Sequence, residues 1–107
     1  ALFSCESKQE TMLRLIAPGE SGIDFENTIV ETDSFNILTY EYIYNGGGVG
    51  VGDFNNDSLP DLFFTGNQVP NRLYINQGNF QFKDVTNSAR VNVAGRWNSG
   101  VTLVDIN

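Results

Sequence analysis

Asp53-Phe54-Asn55-Asn56-Asp57-Ser58-Leu59-Pro60-Asp61 sets oxygen-bearing side chains at alternate positions, Asp53, Asn55 and Asp57, and returns to one at Asp61. A hard cation such as Ca²⁺ takes six to eight oxygens, and a short chain supplies them best by wrapping around the ion. Positions one, three, five and nine would give side-chain oxygens, and Leu59 at position seven its backbone carbonyl. Three carboxylates so close together repel one another unless a cation lies among them. An Asn/Asp-rich turn would account for the polarity, since these are ordinary turn residues. It does not account for the spacing, so calcium is the expected ligand. Ser58 stands at the sixth position, where glycine normally makes the sharp turn. A serine at positive φ costs on the order of 1 kcal/mol, which would weaken the site.

The elements that position this loop are strands. Position twelve, Phe64, is not the Glu that a helix-flanked EF-hand requires. Gly48-Val49-Gly50-Val51-Gly52 alternates before the loop, and the β-prone run 61–65 follows it. Further strands are expected over Arg72–Asn76 and Phe80–Thr86, joined by the hairpin turn Gln77-Gly78-Asn79. Four short strands with tight turns predict an all-β antiparallel meander, the unit of a propeller blade. Upstream, Ser21–Asn27, extended by Thr28-Ile29-Val30, and Ile37–Tyr44 also alternate and predict strands. Leu38, Tyr40, Tyr42 and Tyr44 would share one face. Sheet packing is the better account of those tyrosines, with a carbohydrate-binding face as the sharper one.

The chain has 107 residues, enough for one domain at most or a piece of a larger one. Its net charge of −7, with six scattered basic residues, argues against nucleic acid as a partner. The absence of histidine excludes His-based catalysis and nearly excludes catalytic zinc. The glycine cluster Gly46-Gly47-Gly48 precedes neither a Gly-Lys-Ser/Thr nor a G-x-G-x-x-G register, so no nucleotide loop is expected. Two carboxylates suffice as acid and base on a glycan, but nothing separates Asp24, Glu26 and Glu31 from a solvated face. A non-enzyme is expected.

Gly100-Val101-Thr102-Leu103-Val104-Asp105-Ile106-Asn107 repeats the pattern Gly48–Asn55 at a constant offset of 52, close to one four-stranded blade with a loop. Asp105 and Asn107 fall at the first and third positions of a second ion loop, expected to continue close to Asn-Asp-Gly-x-x-Asp. A single blade should be marginal alone, because its faces are buried against neighbours.

The stretch Gly48–Leu62, with Asn71–Asn76 and Phe82–Thr86, resembles the FG-GAP/VCBS-type repeats of integrin-α-like propellers. Within them it is most similar to the cartilage-acidic-protein-like group, which often carries an ASPIC/UnbV domain. The resemblance implies blades closing into a ring, Ca²⁺ in each rim loop, and an extracellular adhesion or binding scaffold with a protein or glycan ligand. The alternative is the non-catalytic propeller part of a secreted hydrolase. Leu2-Phe3-Ser4-Cys5 further resembles the lipobox of bacterial lipoproteins, with Cys5 as the lipidated residue. On that reading residues 1–5 end a signal peptide and 6–20 form a polar tether. Residues 21–99 form the first blade with its preceding strands, and 100–107 begin the second repeat. The protein would be an extracytoplasmic lipoprotein of the cell envelope, touching a membrane only through the anchor.

Overall fold

The computed structural model describes residues 12–93 and 95–106. Four strands form one antiparallel sheet in sequence order: β1 (Val49–Gly52), β2 (Asp61–Phe64), β3 (Arg72–Asn76) and β4 (Phe82–Asp84). The fold is the all-β, four-stranded meander of a propeller blade. Register runs Gly52↔Asp61, Leu62↔Tyr74 and Asn76↔Phe82. The ion-loop motif therefore occupies the whole β1–β2 connection. Two one-turn helices flank the sheet, α1 (Pro18–Ser21) and α2 (Thr86–Ala89). Among the described residues no helix is long and apolar enough to cross a membrane.

Because strand side chains alternate, the pairing sorts the sheet into two faces. Val49, Val51, Leu62, Phe64, Tyr74 and Phe82 share one. Residues 16–25 cover part of it: Phe25 stacks on Phe64 with centroids 5.0 Å apart, and the Tyr74 hydroxyl donates to Asp24 Oδ1 at 2.7 Å. Gly50, Gly52, Phe63 and Leu73 share the opposite face. There Leu103 lies so close that a Cβ at Gly52 would meet its Cδ1 at 2.9 Å, and one at Gly50 would meet its Cγ at 3.3 Å. The alternate glycines of β1 thus admit the incoming repeat rather than a nucleotide.

Several expected strands do not form. Residues 37–44 are a series of turns. Asn36 Oδ1 accepts from the Leu38 and Thr39 amides, and its Nδ2 donates to the Thr32 and Asp33 carbonyls. That local bonding diverts the backbone from a ladder. Ser21–Asn27 is likewise not a strand: Ser21 ends α1, Gly22 follows at φ 77°, and the chain to Val30 joins no ladder. The β4 strand starts two residues later than expected, because Asn79 and Phe80 sit at φ 52° and 57° inside the turn. It ends at Asp84, where Asp84 Oδ1 accepts from the Thr86 amide and α2 begins. Residues 100–106 carry the repeat sequence but join no ladder.

Candidate functional site

The loop is shaped by its own carboxylates. Asp53 Oδ1 and Asn55 Oδ1 both accept from the Asp57 amide, at 3.1 and 3.2 Å. Asp53 Oδ2 accepts from the Ser58 amide at 2.8 Å, and Asp57 Oδ1 from the Leu59 amide at 2.8 Å. Asn55 Nδ2 donates to Asp57 Oδ2 at 2.8 Å. Positions one, three and five therefore converge on a single turn of backbone. The amide of Ser58, more than any other group, holds the exposed Asp53 carboxyl below its ordinary pKa. Asn56 and Ser58 stand at φ 63° and 68°, so the sixth position does adopt the left-handed conformation that glycine would occupy.

Asp61 has a different setting. It is fully buried; its Oδ2 accepts from the Phe54 amide and its Oδ1 from the Asn76 amide, both at 2.8 Å. It ties the first half of the loop to the end of β3, and Asn76 Nδ2 closes the same junction on the Pro60 carbonyl at 2.9 Å. Each Asp61 oxygen retains a second acceptor site. Among the described residues no three Asp, Glu, His or Cys side chains stand together as a metal cluster. An ion here would draw on Asn55 and backbone oxygen as well as Asp53 and Asp57, the mixed oxygen set that suits Ca²⁺. Of the second half-site, Asp105 lines a groove with Asp53, Phe54 and Asn56, whereas Asn107 lies outside the described residues, as does Cys5.

Residues 66–71, the β2–β3 connection, carry a role that no motif in the sequence announces. Asn67, 2% exposed, donates to the Gly46 carbonyl at 3.1 Å and the Asn98 carbonyl at 2.8 Å, and exchanges two bonds with Asn27 at 2.6 and 3.0 Å. Asn71 Oδ1 accepts from the Gly66 amide and from Asn98 Nδ2, both at 3.1 Å. These amides fasten the approaches to β1 and to the second repeat onto the β2–β3 connection. The visible signal was the run of asparagines at 67, 71 and 98, whose partners are distant in sequence.

A family model described as FG-GAP-like repeat matches residues 53–107, from the first loop position to the end of the second repeat's start. Cartilage acidic protein 1 of Mus musculus is 40% identical over 62 residues, 58% of this chain. The Xenopus tropicalis protein of that name is 35% identical over 65 residues, 60% of this chain. The aligned stretch spans 10% of each of these relatives. No solved structure matches. With the family model covering the loop, the three following strands and the second repeat, the chain belongs to the FG-GAP-like repeat family.

Proposed function

We propose that this chain is a calcium-binding blade segment of an extracytoplasmic protein whose propeller serves as a binding or adhesion scaffold. The observation that carries the calcium reading is the convergence of Asp53, Asn55 and Asp57 oxygens on one turn of the β1–β2 loop. The ligand set is Asp53, Asn55, Asp57, the Leu59 carbonyl and Asp61 through its remaining acceptor sites. Asp105 and Asn107 would begin a second loop of the same kind. Repeats of this family are generally non-catalytic, and the segment acts by holding a surface rather than by chemistry. Extracellular calcium modules work at 10⁻⁴–10⁻³ M affinity, a range that suits a loop with serine at its sixth position. Cys5 would carry the lipid that holds the protein outside the cytoplasm; fractionation of wild type against Cys5→Ser tests that part separately. Titrating the full-length protein with Ca²⁺, wild type against Asp57→Ala, tests the metal. Loss of one binding site in the variant is expected, and equal affinity and stoichiometry in both would refute this ligand set.

A further inference from the structure

Away from the ion loop, the turns that replaced the expected strand 37–44 build an aromatic corner. Phe35 stacks on Tyr40 at 5.7 Å, and both meet Trp97 edge-on, at 5.3 and 5.5 Å. Beside it lies a cavity of about 310 Å³ lined by Phe35, Asn67, Gln68, Gly95, Arg96 and Trp97. Its floor is fixed. Asn67 spends both side-chain N–H groups on the Gly46 and Asn98 carbonyls, and Gln68 is clamped to Val30, accepting from the amide at 2.6 Å and donating to the carbonyl at 3.0 Å. Two side-chain donors stand beside this floor. Neither the Arg96 guanidinium nor the Trp97 indole N–H pairs with any described residue, although the chain is strongly acidic.

We infer that this pocket binds an acidic sugar, a hexuronate unit of a glycan. An indole and a phenyl ring at a corner offer flat apolar surfaces to the C–H face of a pyranose. A guanidinium matches a carboxylate in bidentate geometry. The volume sits at the low end for small-ligand sites, a single ring rather than a long peptide. An extended peptide would need a free ladder edge, and here the Asn67 and Asn98 amides are already bonded, to Asn27 Oδ1 and the Gly66 carbonyl. This rests on the binding-scaffold reading but not on calcium.

The test is calorimetric titration of the full-length protein with oligoglucuronate, neutral oligoglucose and hexaglutamate, in calcium and again in EDTA. Oligoglucuronate should bind at least about tenfold tighter than either other probe, the scale of one charge-assisted contact. Arg96→Gln and Trp97→Ala should each lose about tenfold or more, with far-ultraviolet circular dichroism unchanged, while Arg90→Gln binds as wild type. Failure of calcium binding alone would leave the sugar affinity in EDTA intact, which separates the two ideas. Equal affinity for the neutral sugar, tighter binding of hexaglutamate, unchanged affinity in Arg96→Gln, or no binding of any probe would each overturn the assignment.

Discussion

Within the loop, acidic residues that look equivalent in sequence do different work. Asp57 is exposed and bonds only within the loop, whereas Asp61 is buried and satisfies two amides across it. In EDTA, Asp61→Ala should therefore cost about 2–4 kcal/mol, since two part-buried donors lose their acceptor. Asp57→Ala should cost about 1 kcal/mol or less under the same conditions. Equal losses in chemical unfolding would contradict the division. Ser58 at φ 68° gives a second prediction. Glycine there removes the left-handed penalty, so Ser58→Gly should stabilise by about 0.5–1 kcal/mol and tighten calcium binding. A lower melting temperature would count against it. The alternate spacing and the cost at Ser58 could be read from sequence. The latch made by Asp61 could not, because its partners, Phe54 and Asn76, are joined only by strand pairing.

At the scale of elements, alternation located β1 and β3, and the aromatic, β-prone run 61–65 located β2. The same alternation misled at 37–44, where Tyr40 and Tyr42 reach a ring cluster from turns stapled by Asn36. Nothing in a period-two pattern distinguishes rings packed on a sheet from rings packed on a corner. The asparagine network escaped for a related reason: Asn67 looks like a turn residue until Asn27 and Asn98 are brought to it. The strand centre carries its own pH signature. Burial, then the hydrogen bond and charge of Asp24, pushes the Tyr74 phenol up from 10.0 to about 12. The unfolded phenol titrates first, so this contribution is fully present below about pH 10. It is lost as pH rises through the folded value. Tyr74→Phe should be less stable at neutral pH, and its stability should fall less steeply between pH 10 and 12. Parallel alkaline profiles would exclude the Asp24–Tyr74 pair as the cause.

For the whole molecule, burial is incomplete. Among the described residues Ile43, Leu73 and Tyr74 are the buried apolar side chains, while Leu15, Leu38 and Ile106 are at least 90% exposed. A blade with two partly covered faces has little cohesion of its own, so on the calcium proposal an ion linking the ends of β1 and β2 would take a large share of the work of ordering it. A ligand that binds only the folded state stabilises by mass action, about 2.7 kcal/mol at a hundredfold excess over Kd. The most direct test is thermal unfolding of the full-length protein in EDTA and in excess Ca²⁺, wild type beside Asp57→Ala. The melting temperature of wild type should rise with calcium by more than that of the variant, with the two close together in EDTA. An identical calcium-induced shift in both proteins, or none in wild type, would contradict a calcium site at this loop.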